Sequence, residues 1–510
     1  MAPYILAKYD VSGIQAYIFA SNRLRENVKA SAYVGKILKE MLPAALAECL
    51  NGDSERAILE WDKIEYGKFR MADSQNLLAE IIYIGGGNAF VVYRDKTCYN
   101  QASRHFAKKV TAQCQGVTVL TSSVETDLNN FSQDIRSLNQ KMGEIKKKVR
   151  RQLQVSSYPI IEQDSSSGSP VARQLLQNGG PEIRRGQCAA GAGGKEEESP
   201  WSYAWEMEEL AAQKGEDSYV AVIHIDGNNM GKTVESIMKK NGAYQEAVPR
   251  MRQFSAGIAD KYEQARKAMV DKFGAVFGTN PLPLRPLIAD GDDITYLCCA
   301  QAGIPAAVFY LRKILELSDE QLPLSACAGI AFVHNHFPFN IAYEIAEKCC
   351  AKAKKSWREK GEESNTAGYL DFQVVQGAYG KEMESGNRQE KLRGRPFRIG
   401  KDMEPQGMDS ADHLFDTLKS MMGDKEGSKE WPMNRLRHLY QAYRLQPFEI
   451  DILEQEYASR GYKLSELSGR SGMDTCTEPD GIFDALEVLD FYEGNIWSGF
   501  WGASGSGGSQ

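Results

Sequence analysis

The chain has 510 residues, 42% hydrophobic and 25% charged, which is material for roughly two to four domains and excludes global disorder. Its formal net charge of −7 excludes a broad basic face for gripping duplex nucleic acid, though not local basic patches. No run of about 18 apolar residues predicts a membrane span, and MAPYILAKYDVSGIQ lacks the basic–apolar–small order of a secretory leader, so a cytoplasmic protein without a membrane partner is expected.

Residues 1–122 read as mixed α/β. YILAKYD is a strand, Ile14 to Phe19 an apolar-periodic helix, and a longer helix is expected from about Ala30 to Leu50. AEIIYIGGGNAFVVY reads as two strands joined at Gly85-Gly86-Gly87, followed by a helix (QASRHFAKKVTAQC) and a strand (GVTVLTS). Residues 123–216 read as a helical and flexible linker region. Its helical part ends in Lys146, Lys147, Lys148, Arg150 and Arg151, which a solvated helix face explains, and 163–200 is rich in Gly, Ser and Ala.

Residues 217–378 are α/β again: strand SYVAVIHID, helix VPRMRQFSAGIADKYEQARKAMVDKFG, hairpin PLRPLIADGDDITYLCCA, strand LSACAGIAFVHN and helix FNIAYEIAEKCCAKAKK. Residues 400–497 carry helical patterns of a small all-α domain, and 502–510 (GASGSGGSQ) is a low-complexity tail. The two α/β blocks repeat one plan of strand, helix, hairpin, helix and strand. Asp10 ends the first strand of one and Asp226 that of the other; Gly85-Gly86-Gly87-Asn88 forms one hairpin and Asp290-Gly291-Asp292-Asp293 the other. The expected fold class is α+β: two ferredoxin-like βαββαβ domains from one duplication plus a C-terminal all-α domain, with acidic chemistry kept in the second copy.

Ten cysteines contain no C-x-x-C pair, so zinc-ribbon spacing is absent and buried reduced thiols are expected. The carboxylates say more. Asp226 alone is explained by a strand-end turn or cap, as Asp290 and Gly291 are by a hairpin turn. Two further acids before the next apolar strand are not explained that way. Carboxylates about 4 Å apart repel by about 4 kcal/mol at an effective dielectric of 20. A divalent cation reverses that sign, and magnesium (or manganese) suits oxygen ligands. Asp226, Asp292 and Asp293 are therefore the candidate metal ligands and catalytic residues of a phosphoryl-transfer site. Because side chains alternate along a strand, Asp226 and Asp292 are preferred as direct ligands, and Asp293 for a second ion or a hydroxyl proton.

Phosphates need donors, and Lys232 and Lys354 are candidates; either can be read as a solvated helix residue, and for Lys354 that reading weighs as much as the functional one. Gly227, Asn228, Asn229 and Gly231 surround the first carboxylate and Asp290 and Gly291 the second pair, completing the candidate nucleotide contacts. Gly227-Asn-Asn-Met-Gly231-Lys232-Thr233 imitates a P-loop but has one residue too few between its glycines, so a P-loop ATPase is the weaker alternative. The six histidines include no His-Asp pair, so HD-type nuclease ligands are not visible.

YDVSGIQAYIFASNRLRENVKASAYVG resembles the first palm domain of the large subunit of type III CRISPR effector complexes. IHIDGNNMGK, IADGDDITYL and LSACAGIAFVHNHFPFNIAYEIAEKCCAKAK resemble the first strand, the Gly-Gly-Asp-Asp hairpin and the closing strand and helix of its second palm. The resemblance implies a nucleotidyltransferase that converts ATP into cyclic oligoadenylate messengers, within a complex of other subunits, guide RNA and target RNA. It assigns the metals to Asp226, Asp292 and Asp293, and lines a second nucleotide with Gly85, Gly86, Gly87 and Asn88. The sequence departs from the pattern at Asp290, which replaces the first hairpin glycine, and neither the family's HD domain nor its cysteine-rich zinc element is expected here. Two alternatives remain: a scaffold whose catalytic pair has drifted, and an enzyme joining AMP to another substrate.

Overall fold

The structure is a computed structural model and describes residues 4–49, 56–59, 61, 68–114, 116–149, 200–211, 218–231, 233–234, 242–360, 366–375, 392–403, 407, 409–445, 449–468 and 481–501. The stretch 163–199, Arg150, Arg151, Lys232 and the tail 502–510 lie outside them. Two compact units emerge: 1–206 with 229–264 and 286–294, and 207–228 with 265–285 and 295–510.

The first sheet has the order β2-β3-β4-β1-β5, built from β1 (Tyr4–Ser12), β2 (Ala57–Ile58), β3 (Ala79–Gly85), β4 (Asn88–Tyr93) and β5 (Thr118–Thr126). Setting aside the two-residue β2, this is the interleaved order that a βαββαβ unit makes, with β1 antiparallel to both β4 and β5. The alternation of β1 sorts its residues to two faces. Ile5, Ala7, Tyr9 and Val11 join one core with Phe106 and Val110 of α4 (Lys96–Gln113). Leu6 joins the other, with Ile135 and Leu138 of α5 (Phe131–Lys148) and Tyr244 and Val248 at the start of α6 (Tyr244–Phe277).

Between β1 and β3 the chain forms α1 (Ile14–Ile18), α2 (Leu24–Lys36), a π-helical turn at Ile37–Met41 and α3 (Leu42–Cys49). The helix expected from Ala30 thus begins at Leu24: its first turn is polar in sequence, but Leu24, Asn27 and Val28 face inward and are buried. Helix α6 likewise starts before the expected Val248, because Tyr244 is pinned by its N–H to the Leu128 carbonyl at 3.2 Å and Pro249 falls inside the helix rather than opening it.

The second sheet has the order β11-β10-β9-β6-β8-β7, from β6 (Tyr219–Gly227), β7 (Leu284–Asp290), β8 (Asp293–Cys299), β9 (Ala326–His334), β10 (Gly368–Val374) and β11 (Phe397–Ile399). Its β9-β6-β8-β7 portion repeats the interleaved order of the first sheet, and β10, parallel to β9, extends it. Val220–Ile225 are continuously buried, as befits a central strand covered on both faces. Helices α7 (Gly303–Leu317) and α8 (Phe339–Glu359) pack on this sheet. Gly329 of β9 lets α8 approach, since a Cβ there would lie 2.0 Å from the Ala346 carbonyl oxygen and 2.2 Å from the Cys350 nitrogen.

The C-terminal region is helical: α9 (Ala411–Met422), α10 (Met433–Leu445), α11 (Ile450–Ser459), α12 (Leu464–Ser468), α13 (Ile482–Val488) and α14 (Gly494–Trp501). No described helix is long and apolar enough to cross a membrane. The described cysteines are free, with Cys114, Cys298, Cys299, Cys327, Cys349 and Cys350 buried, while Cys188 and Cys476 lie outside the described residues.

Candidate functional site

Strand β6 delivers Asp226 as its penultimate residue, paired across β9 with Cys327. The chain then leaves the sheet. The Asn228 N–H donates to the Ser325 carbonyl at 2.9 Å, the Asn228 amide donates to Ser325 Oγ at 3.0 Å, and Asn229 takes a left-handed backbone with φ of 56°. An Asn tolerates that conformation better than most residues. From α8, Lys354 Nζ reaches Asp226 Oδ2 at 2.5 Å and donates to the Gly227 carbonyl at 2.9 Å. Two residues back, burial holds the His224 imidazole down to about 4, against the pull of Asp226, so it is neutral at pH 7. Its Nδ1 lies 3.3 Å from Thr295 Oγ1.

The first unit repeats this pattern. Asp10 of β1 pairs with Lys146 of α5 at 2.7 Å, and both α5 and α8 follow the closing strand of their βαββαβ unit. In each unit, therefore, the carboxylate near the end of the first strand faces a lysine from the helix after the last. Lys146 was expected on a solvated face; half its side chain is exposed, but its ammonium ends on the buried Asp10.

The two hairpins differ. Gly86 and Gly87 have φ of 57° and 70°, as a type I′ turn requires of both central residues. Gly85 has another reason: a Cβ there would lie 2.3 Å from the Tyr83 hydroxyl oxygen. Asn88 Nδ2 closes the turn on the Gly86 carbonyl at 2.8 Å. In the second hairpin only Gly291, with φ of 67°, is left-handed, which suits a type II′ turn. Asp292 thus lies in the turn and Asp293 opens β8, so strand alternation does not govern the pair.

Asp290 is held from two sides. Lys39, on the π-helical turn, lies 3.3 Å from Oδ1, and the Gly87 N–H donates to Oδ2 at 3.3 Å. Ser31 of α2 donates to the Leu287 carbonyl, three residues earlier on β7. Burial, with smaller contributions from Asp290 and Asp292, pushes the Tyr83 phenol up to about 12 against a hydrogen bond to Ser255. Tyr83 therefore remains a neutral hydroxyl beside these acids.

The structure brings together Asp226, Gly227, Asn228 and Lys354 in the second unit, and Gly87 with Asp290 in the first. Asp292 and Asp293 belong to the first unit, and Gly231 is exposed. The Lys232 expectation lies outside the described residues. Lys39, Tyr83, Ser31, Lys146 and His224 were not singled out as site residues; only the repeated element order hints at a paired role for Lys146, whose place matches that of Lys354. Among the described residues no three or more His, Cys, Asp or Glu side chains gather to hold a metal ion. The oxygen donors nevertheless suit magnesium, which takes one or two carboxylates and completes its shell with water and substrate phosphates. The ammonium on Asp226 marks a place where that carboxylate already accepts a positive charge.

Residues 219–362 match the family model of the second palm domain of Cas10/Cmr2. Solved structures share the fold at low identity. A Csm1-Csm4 cassette in complex with cA4 superposes with a TM-score of 0.56 at 13% identity, covering 96% of this chain and 70% of that one. The same cassette with one ATP gives 0.55 at 12%, covering 96% and 70%. A Csm1-Csm4 subcomplex of the type III-A CRISPR-Csm interference complex gives 0.55 at 12%, covering 98% and 70%. No curated protein matches the chain significantly in sequence.

Proposed function

For a chain whose residues 219–362 match the second palm domain of Cas10/Cmr2, we propose a nucleotidyltransferase that joins ATP into cyclic oligoadenylates as the large subunit of an RNA-guided type III CRISPR effector complex. Its partners are then the other subunits, guide RNA and target RNA, in the cytoplasm. The carrying observation is the asymmetry of a duplicated plan. Both units keep the aspartate–lysine pair, but only the second hairpin carries Asp292 and Asp293, where the first has Gly87 and Asn88. Solved structures that share this fold were captured in complex with cA4 and with ATP, which points the same way.

In this reading Asp226, Asp292 and Asp293 hold magnesium (or manganese), with β6 and β8 as neighbouring strands. Divalent ions there would acidify an attacking ribose hydroxyl and offset triphosphate charge. Lys354, held between Asp226 and the Gly227 carbonyl, keeps that carboxylate aimed and supplies a cation for a phosphate oxygen. Gly227, Asn228, Asn229, Gly231 and Gly291 border the triphosphate, and Gly85, Gly86, Gly87 and Asn88 a second nucleotide.

Labelled ATP and magnesium, supplied to the chain alone and with partner subunits and target RNA, test this reading. Cyclic adenylate product that vanishes in Asp292→Ala and Asp293→Ala supports it; equal product in both variants defeats it. Mass spectrometry of the product distinguishes a ring of adenylates from AMP joined to another acceptor. The capture of Asp290 by Lys39 and Gly87 favours a second reading, a scaffold subunit with a drifted site. That reading predicts no magnesium binding by calorimetry, and a two-ion isotherm rejects it.

A further inference from the structure

Asp290 is an anion already seated in an anion site. Two donors converge on its two oxygens: the Lys39 ammonium on Oδ1 and the Gly87 backbone N–H on Oδ2. That arrangement is how a protein grips one oxyanion group, whether carboxylate or phosphate. Neither donor is placed by accident. The Gly87 N–H is presented by a turn whose positive φ angles need glycine, and a Cβ at Gly87 would crowd Ile14 Cδ1 at 3.0 Å. Lys39 is presented by the π-helical turn between α2 and α3, where Ile37, Leu38 and Met41 are buried and anchor it. Such turns are rare and occur often at functional sites.

The grip is loose. Both contacts measure 3.3 Å, longer than the roughly 2.7–2.9 Å of a well-formed charge-assisted bond. Lys39 and Asp290 are each about a third exposed.

We propose that Lys39 and the Gly87 N–H form a polyphosphate subsite, and that Asp290 occupies it as a tethered competitor which an incoming triphosphate displaces. The inference rests on the nucleotide-binding reading and deepens it. The residue that departs from the hairpin pattern becomes the element that sets the threshold for nucleotide entry, because its charge is neutralised by Lys39 until a stronger anion arrives.

Calorimetry on the full chain with magnesium tests it, using a non-hydrolysable ATP analogue, inorganic triphosphate and adenosine as probes. Asp290→Asn, which keeps the shape and removes the charge, is expected to tighten both triphosphate probes about tenfold, equivalent to about 1.4 kcal/mol, and to leave adenosine unchanged. Lys39→Met is expected to weaken both triphosphates, and to cancel the gain when added to Asp290→Asn. Asp290→Gly serves as a second variant should the asparagine fail to fold. Analogue affinity within twofold in wild type, Asp290→Asn and Lys39→Met overturns the inference, leaves the nucleotide reading intact, and reduces the pair to a structural clasp. Tightening in Asp290→Asn that survives Lys39→Met also overturns it. No binding by any of the proteins overturns both readings.

Discussion

Lys354 Nζ lies 2.5 Å from Asp226 Oδ2 and, with the same ammonium, donates to the carbonyl of the next residue, Gly227, at 2.9 Å. One side chain therefore fixes both the carboxylate and the backbone where β6 leaves the sheet. The carboxylate is about two-fifths exposed, so the pair contributes little to stability. Its value lies in aim.

Lys354→Met is accordingly expected to lower adenylate synthesis about 10²-fold, the scale for losing one preorganised electrostatic partner, with the melting temperature almost unchanged. Lys354→Arg should recover much of the rate. Rates and thermal melts on the same preparations check this. A methionine variant as active as wild type would remove Lys354 from the site.

The equivalent pair in the first unit should behave oppositely. Asp10 is 6% exposed and Lys146 supplies its counter-charge at 2.7 Å, with no acids on the adjoining hairpin. Lys146→Met is expected to cost at most about 2 kcal/mol, discounted because the lysine is half exposed, and to leave synthesis within about threefold of wild type. Urea unfolding and a rate measurement read the two effects separately. A rate loss as large as that of Lys354→Met would mean that the first unit takes part in chemistry.

Much of this was legible in the chain because it is local. Period-two and period-3.6 patterns gave β1, the β3–β4 and β7–β8 hairpins, β9 and α8, and the glycine run marked its own turn. The order of elements disclosed the repeated plan, since both sheets share one interleaved pattern. What escaped is held by partners far away in sequence. Lys39 meets Asp290 across 251 positions, and no local pattern singles out a lysine in a helix. The two- and three-residue strands β2 and β11 are too short for alternation to register.

Arg252 is another such case. Register slips between Ile81 and Tyr83 in the β3–β4 pairing, a bulge that opens the ladder. The guanidinium fills that gap: it donates to the Ile82 carbonyl at 3.0 Å, the Ile81 carbonyl at 2.6 Å and Glu80 Oε1 at 3.1 Å, and is 1% exposed. The other Glu80 oxygen accepts the N–H groups of Arg70 and Met71. Burial pushes the Glu80 carboxyl up while Arg252 opposes the shift. Arg252→Met strands this carboxylate in the core and is expected to destabilise the first unit by about 3–5 kcal/mol, with Glu80→Gln recovering part of the loss in the double variant. Urea unfolding of the four proteins gives the coupling, and additive single effects would contradict it.

The second unit holds a buried charge cluster whose behaviour with pH has a definite sign. Arg395 stacks over Phe372 at 4.0 Å and lies 2.7 Å from Glu487, 3.5 Å from Asp371 and 3.5 Å from Asp484. Arg393 adds a contact to Glu487 at 2.8 Å, and the Gly394 N–H donates to Asp484 Oδ2 at 2.6 Å. Burial raises the Asp484 carboxyl to about 7, with Arg395 opposing and Glu487 reinforcing. The unfolded carboxyl titrates near 4, so between about pH 4 and 7 the folded chain binds the extra proton. This group's contribution is complete below pH 4, falls as pH rises to about 7, and is level above, a change of at most about 4 kcal/mol. Asp484→Asn stays neutral throughout and still accepts the Gly394 N–H through its amide oxygen. Its stability relative to wild type should therefore rise steadily from pH 4 to 7 and then stop changing. Comparing the two proteins removes the shared titration of Asp371 and the surface carboxylates. Urea midpoints at pH 4.5, 6 and 8 read the difference, and a constant offset across that range would show that Asp484 is ionised throughout in the folded chain.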